Sequence, residues 1–328
     1  LGAKVLKVSK PLLTTSNIYG TLFSIISDEK NLEPWIYSNF IQLRYVIDWN
    51  VYFFDNHDLL FETCPYVTKT SINRELINRW TSFKEFITYS IDENLYIWCH
   101  LDRFFIPSFS EYQNNNRFHE TLIYGYDTEK NIIYISDNLQ GGAYKTTQCT
   151  FEEAEAAFQN VESEYEFINK VNLIKKNSII DFDSHAFNRE YLIDSLQRYL
   201  YSKRSFDLIN PKVLNIYGLN VYHHLISTIT HHKKDTPKLD IRVFHLLWEH
   251  KKLMVMRLEY LHEISCLTES GDLIDKYKKL EKKSLIIRNL ALRYEVSRKL
   301  DDLTKIESGL VEIMNSEREL LEKLISNI

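Results

Sequence analysis

Hydrophobic and polar positions repeat with two different periods along this chain. Through about residue 170, stretches that alternate every second residue, as a half-buried strand does, are interleaved with stretches near the helical period of 3.6. NIYGTLFSIIS (17–27) sets Ile18, Leu22, Ile25 and Ile26 on one helical face, with capping residues from Thr14 to Asn17 in front of it. WNVYFFD (49–55) reads as a strand, and SINRELINRWTSFKEFITYSI (71–91) as one amphipathic helix capped by Ser71. NLYIWCHL (94–101) reads as a strand. A loop with Pro107 and three asparagines, Asn114 to Asn116, follows it, and then two apolar runs form a hairpin over 119–138. TFEEAEAAF (150–158) is a short helix capped by Thr150 with acids in its first turn, and EYEFINKVNLIK (164–175) is a strand.

After about residue 180 only the helical period remains. Helices are expected over 185–202 and 215–232, with a loop over 232–240. From 240 to 267 a continuous stripe runs through Val243, Leu246, Leu247, Met254, Leu258, Leu261 and Ile264. The spacing continues from Leu273 to Tyr294 and again from Leu303 to Leu324, with Asp301 and Asp302 able to start a new helix and Gly309 able to kink one. The expected architecture is therefore an α+β domain over 1–178 followed by an all-α helical domain over 179–328.

Composition narrows the classes. With 328 residues and 44% hydrophobic content there is ample material for two cores, and 8 Gly and 6 Pro are too few for a loop-rich all-β or disordered chain. No apolar run approaches the roughly 18–20 residues of a membrane span. The opening LGAKVLKVSKPLL lacks a long apolar core and a small-residue cleavage site, so no signal peptide and a cytoplasmic location are expected. Cys64, Cys99, Cys149 and Cys266 are scattered, which argues against a zinc site or a disulfide framework. A net charge of -5 excludes a globally basic nucleic-acid binder. Residues 1–180 carry 16 basic and 23 acidic side chains and residues 181–328 carry 24 and 22, so any attraction for an acidic partner belongs to the second half.

The chemistry is sought in the hairpin NNNRFHETLIYGYDTEKNIIYISDN (114–138). Strand alternation puts His119 on one face with Thr121, Ile123 and Gly125. If residues 127–130 form the turn, His119 faces position 138, and a change of one residue in the turn makes it 137 or 139. Asp137 or Asn138 then lies beside His119. Either side chain would bond one ring nitrogen, fix the tautomer, and leave the other nitrogen as a base.

HETLIYGYDTEKNIIYISDN resembles the His-to-Asp segment of papain-like cysteine peptidases of the bacteriocin-processing type, with Asn138 where that segment has proline. LYIWCHLDRFFIPSFSEY (95–112) is similar to a narrower group, the N-terminal domain of butirosin biosynthesis protein H. NIYG and DIRVFHLLWEHKKLMVMRLEYL in the tail resemble relatives from nonribosomal-peptide gene clusters. The resemblance covers about 14–160 and, less specifically, the tail. It implies a papain-like (cysteine-peptidase-like) fold. It also implies an acyltransferase of secondary-metabolite biosynthesis, moving an acyl group from a carrier-protein thioester to an amine. No cofactor or metal is implied beyond the phosphopantetheine that carries the substrate.

The chain departs from that pattern at the nucleophile. Such enzymes place a cysteine at the start of the first buried helix, where the helix N-terminus lowers its pKa. Here that start reads Thr15-Ser16-Asn17-Ile18-Tyr19. Ser16 is the nucleophile candidate or simply a helix cap, and Asn17 and Tyr19 are substrate-binding candidates. Cys64 before Pro65 and Cys99 in a strand are alternative thiols, Cys149 follows the histidine against the family order, and Cys266 lies in the helical tail. Asp102 matches the family aspartate after the strand, and either binds the substrate amine or anchors the 102–118 loop. His223, His224, His231 and His232 cluster without a carboxylate to complete a metal site. HLLWEH (245–250) misses the zinc-protease spacing by one residue, and QGGAY (140–144) does not open a phosphate-binding loop.

Two readings compete. In the first, His119 is the general base and Asp137 or Asn138 its orienting partner in amide-forming acyl transfer. The helical domain covers the cleft or docks the acyl or peptidyl carrier protein through Lys276, Lys278, Lys279, Lys282 and Lys283. In the second, the nucleophile is lost and the domain is a degenerate binding module. A peptidase is a third and weaker reading, because amide cleavage needs an activated nucleophile more. The long C-terminal helices can also form a homodimer, although their broad stripe suits a bundle core better than a coiled-coil seam.

Overall fold

The computed structural model describes residues 2–178, 186–205, 214–232, 238–267 and 271–328. It is an α+β protein with an antiparallel sheet and a C-terminal helical region. Two compact units are present. The first comprises Leu1–Lys30 and Leu59–Asp181, and the second Asn31–Asp58 and Phe182–Ile328. A single cut at 178 therefore misses one exchange, since the segment Asn31–Asp58 belongs with the helices. Its anchors are buried polar bonds. Arg257, fully enclosed in the helix Ile241–Glu263, donates Nε to Tyr37 O and Nη2 to Asn39 O, each at 2.7 Å, and His250 Nε2 lies 2.8 Å from Ile41 O. Leaving these carbonyls and the guanidinium unpaired in an apolar core would be costly, which fixes the segment to that helix.

The first unit is built on a seven-stranded sheet. The strands run Val67–Asn73, Lys170–Lys176, Leu95–Asp102, Phe118–Asp127, Ile132–Asn138, Tyr144–Thr150, with the short strand Ala3–Val5 added beside Gly125–Asp127. Every pairing is antiparallel. The expected hairpin is present, but its turn is residues 128–131, with Asp127 opposite Ile132. Asp127 Oδ1 accepts from Glu129 N and Lys130 N, and Asn131 takes the left-handed conformation at φ 57°, the local chemistry a tight turn requires. A bulge between Ile123 and Gly125 then shifts the register by one, so Ile123 pairs with Ile135 and Leu122 with Ser136.

The helix Asn17–Ile26 is buried on every side, the polar Asn17, Thr21 and Ser24 included, and not only on the apolar face that its spacing marks. Its seat is tight. A Cβ on Gly20 would lie 2.4 Å from the Tyr144 ring, so only glycine lets this helix meet the sheet there. The helix Phe151–Gln159 begins with the expected Thr150 cap, completed as a capping box by Glu153.

Several local expectations are corrected. Ser71 does not cap a helix. It lies in the strand Val67–Asn73, pairs with Asn172 across the ladder and donates to its Oδ1. The helical run that follows is two helices, Arg74–Trp80 capped by Asn73 and Phe83–Asp92 with a Ser82/Glu85 capping box. In 164–175 a turn of helix, Glu166–Asn169, precedes the strand Lys170–Lys176.

In the second unit Asn215–Tyr217 is a strand, not the start of a helix. It pairs with Leu43–Val46, which pairs with Val51–Phe54, and the helix runs only over Asn220–His232. The helices Arg189–Leu200, Ile241–Glu263, Gly271–Ser297 and Leu300–Asn327 follow the expected stripes. Ile264 lies just past the second of these and is 37% exposed. Gly309 does not kink its helix: a Cβ there would meet the Ile287 side chain at 2.8 Å, so the glycine serves close helix packing. The 178/179 boundary and most of the 232–240 loop lie at or within segments outside the described residues.

Candidate active site

The centre of the first unit is Asp137, at the end of the second hairpin strand and fully buried. Because Leu122 pairs with Ser136, the next positions on the two strands are Thr121 and Asp137. Thr121 Oγ1 donates to Asp137 Oδ2 at 2.9 Å. His119, two residues back on the same face, reaches the other oxygen, with Nδ1 2.8 Å from Oδ1. Asp137, not Asn138, is thus the partner of His119. The Asn138 side chain turns away to donate to Gly142 O, while its backbone N–H donates to Asp137 Oδ1 at 2.6 Å.

A residue the sequence reading missed completes the arrangement. Arg103, buried, places Nη2 2.9 Å from each of Asp137 Oδ1, Asn138 O and His119 Nδ1. Its Nη1 lies 3.6 Å from Glu111 Oε1, and its guanidinium stacks over Phe109 at 4.6 Å from the ring centre. Counting protons decides the tautomer. The two hydrogens of Nη2 are satisfied by the Asp137 and Asn138 oxygens. Nδ1 then carries its own hydrogen toward Asp137 Oδ1, with Glu120 O also 3.1 Å away, and Nε2 keeps a lone pair. Burial raises the Asp137 carboxyl, but His119, Arg103 and the Thr121 bond together hold it below the usual carboxylate range. The His119 side chain is 27% exposed while Asp137 is sealed, the arrangement of a base with a hidden orienting group.

The start of the first helix sits against this group, but not with a nucleophile. Asn17 donates Nδ2 to Asp137 Oδ1 at 2.9 Å and to Glu120 O at 2.8 Å, and its Oδ1 accepts from Thr21 Oγ1 and Trp98 Nε1, each at 3.1 Å. These four bonds fill the amide's capacity, so Asn17 is a buried brace and not a substrate contact. Ser16 is the N-cap residue without a side-chain cap bond, and its carbonyl accepts from Tyr19 N and Gly20 N. Tyr19 is fully buried, which removes it from substrate binding. Asp102 is also fully buried: Oδ1 accepts from Phe104 N and Arg117 N, and Oδ2 from Asn116 Nδ2. It anchors the 102–118 loop and thereby sets Arg103, and it is not open to an amine.

The thiols are not activated. Burial pushes Cys64 and Cys149 up to about 12 and Cys99 up to about 11, and all three are buried. Among the described residues no group of three or more His, Cys, Asp or Glu could hold a metal. His224 Nδ1 lies 2.8 Å from Tyr52 Oη, and His231 Nδ1 lies 2.7 Å from Ser227 O, while the His232 side chain is outside the described residues. In 245–250, His245 Nε2 contacts Glu249 at 3.1 Å and His250 is in the core. Lys276, Lys278 and Lys283 pair with Asp272, Glu259 and Glu312 of their own unit, so part of the proposed basic surface is already neutralised.

Glu120, opposite His100 in the ladder, faces the other side of the sheet. With Trp98, His100, Phe167, Lys170 and Asn172 it lines a cleft of about 430 Å³. Burial, increased by Asp137 and opposed by His119, pushes the Glu120 carboxyl up to about 7. Burial, together with His119 and Arg74 and opposed by Asp137, pushes His100 down to about 4. No alternation rule identifies these two as functional. Arg103 had a readable signal: it directly follows Asp102, whose ladder partner Phe118 adjoins His119.

No protein-family model matches this chain, and no curated protein matches it significantly.

Proposed function

We propose that the first unit is a papain-like domain that transfers an acyl group from a carrier-bound thioester to an amine, with His119 as general base and Asp137 as its orienting partner. The observation that carries this is the 2.8 Å contact between His119 Nδ1 and the sealed Asp137 carboxylate. Asn17 at the helix start and the raised thiols favour direct transfer over a covalent enzyme intermediate. In that route His119 Nε2 takes a proton from the amine as its nitrogen attacks the thioester carbonyl carbon. The C–N bond forms, the tetrahedral intermediate collapses with loss of the C–S bond, and the departing thiolate receives the proton from His119.

A degenerate binding module is the second reading, and one observation favours it. The amide of Asn17 occupies the nucleophile region with every hydrogen-bonding position used. Thiol release from an acyl-pantetheine thioester in the presence of an amine separates the two. Turnover that disappears in His119→Ala and persists in Ser16→Ala supports direct transfer, and loss in Ser16→Ala as well moves the nucleophile to Ser16. Binding of the thioester without turnover supports the binding module.

A further inference from the structure

The second unit holds a small cavity of about 130 Å³ whose wall includes Gln42, Asp55, Asn56, Tyr191, Asp194 and Arg198. Four buried polar atoms of that wall have no hydrogen-bond partner among the described residues: Gln42 Oε1, Asp55 Oδ2, and Oδ1 and Nδ2 of Asn56. Buried polar atoms are ordinarily paired, so four of them on one cavity call for an occupant. Gln42 and Asp55 are each more than nine-tenths buried.

The chemistry of the occupant follows from what the wall lacks. Gln42 cannot turn its amide round, because its Nε2 already donates to Lys203 O at 2.7 Å, so its oxygen stays available to accept. The Asp55 carboxyl is bonded on one side by Ser205, with Arg44 Nε 3.6 Å from its Oδ1, and its Oδ2 is unused. Asn56 can turn either end inward. The wall therefore presents two fixed acceptors and a third on demand, and asks for donors. The charges agree. Arg198 is taken up by Asp194 at 2.6 Å and by Arg204 O at 2.7 Å, and Arg44 is shared between Asp55 and Asp58. The charged residues of the wall itself are Asp55, Asp194 and Arg198, two carboxylates to one guanidinium.

We propose that this cavity binds a small organic cation with several N–H donors, of the size and chemistry of methylguanidinium. The volume is close to the ~150 Å³ that accommodates a benzene-sized molecule. Asp55 supplies the charge, and Gln42 and Asn56 supply the further acceptors. This site is independent of the acyl-transfer reading and of His119.

The test is ligand-observed NMR or calorimetry on the full chain, with methylguanidinium and its uncharged isostere N-methylurea. The wild type binds methylguanidinium with millimolar or better affinity and prefers it by roughly tenfold or more, the scale of one charge-assisted hydrogen bond. Asp55→Asn, near-isosteric, abolishes the preference, and Gln42→Met weakens binding of the cation several-fold. Should Asp55→Asn fail to fold, the wild-type comparison decides alone. Absence of binding to the wild type, equal binding of the two probes, or an undiminished preference in a folded Asp55→Asn protein overturns the proposal and leaves water as the occupant.

Discussion

His119 and Asp137 meet diagonally across the hairpin, Nδ1 to Oδ1 at 2.8 Å, while the position opposite Asp137 belongs to Thr121. The bulge between Ile123 and Gly125 makes this possible. Without its one-residue shift Asp137 would follow a different register and a different face. The carboxylate thereby gains both Thr121 and His119, one on each oxygen.

Asp137→Asn should reduce the proposed turnover by about a hundredfold or more, the usual contribution of an oriented general base. It should also destabilise the first unit by about 1.5–3 kcal/mol, because Arg103 loses its nearer carboxylate and keeps only Glu111, at 3.6 Å. Because the folded carboxyl titrates below its ordinary value of 3.8, its stabilisation is present above that value and is lost as pH falls through the depressed one. Denaturant unfolding from pH 7 down to pH 3 should show an acid-side loss of stability in the wild type that is smaller in Asp137→Asn.

Glu120 carries the opposite sign. Its folded carboxyl is raised from 4.5 to about 7, so the folded state holds a proton that the unfolded state has released. Its contribution to stability is therefore fully present below pH 4.5 and is lost as pH rises to about 7. Urea midpoints at pH 5 and pH 8 should differ less in Glu120→Gln than in the wild type. An unchanged difference would place Glu120 in ordinary solvent.

The sequence made the helices and the hairpin readable where apolar spacing and local caps agree, as at Thr150 and in the long helix beginning at Ile241. It misled where a helical period ran on into a strand. SINRELINRW has helical spacing, yet pairing with Lys170–Lys176 draws Ser71, Ile72 and Asn73 into the sheet. The transfer of Asn31–Asp58 to the second unit was unreadable for a different reason. It depends on Arg257 and His250, more than two hundred residues away, bonding to backbone carbonyls. At the site, His119 and Asp137 were readable from strand alternation, with Asn138 left as an equal candidate until the bulge fixed the register. A buried guanidinium such as Arg103 leaves no mark in strand alternation, and only its place directly after Asp102 points to it. Burial, which motif position does not report, decides between the two roles open to Asp102 in favour of the loop anchor and removes Tyr19 from substrate binding.

Arg103→Lys should not be a conservative change. An ammonium cannot reproduce the planar fork that reaches Asp137, Asn138 O and Glu111 while stacking on Phe109. The expected cost is about 1.5–3 kcal/mol from the lost charge-assisted bonds. In ¹⁵N-resolved imidazole spectra the His119 tautomer preference should weaken, an effect that loss of packing alone would not give.

Gly20→Ala should destabilise the first unit by about 1–3 kcal/mol, the cost of overpacking, since the new methyl would sit 2.4 Å from the Tyr144 ring. Combining it with Tyr144→Leu should recover part of the loss, read as a non-additive term in a double-mutant cycle.

Cys64, Cys99 and Cys149 should resist iodoacetamide in the native protein at pH 8, since their thiols stay protonated and buried. Only the half-buried Cys266 should be labelled, and labelling should leave thioester turnover intact. Inactivation accompanied by modification of one of the three would restore a cysteine mechanism.

The most direct test of the central claim is thiol release from an acyl-pantetheine thioester plus an amine, measured for the wild type and for His119→Ala under the same conditions. Amide formation by the wild type and a loss of about a hundredfold or more in the variant is the predicted result. Equal rates in both proteins would contradict a catalytic His119, and binding of the thioester without turnover by either would leave the domain as a binding module.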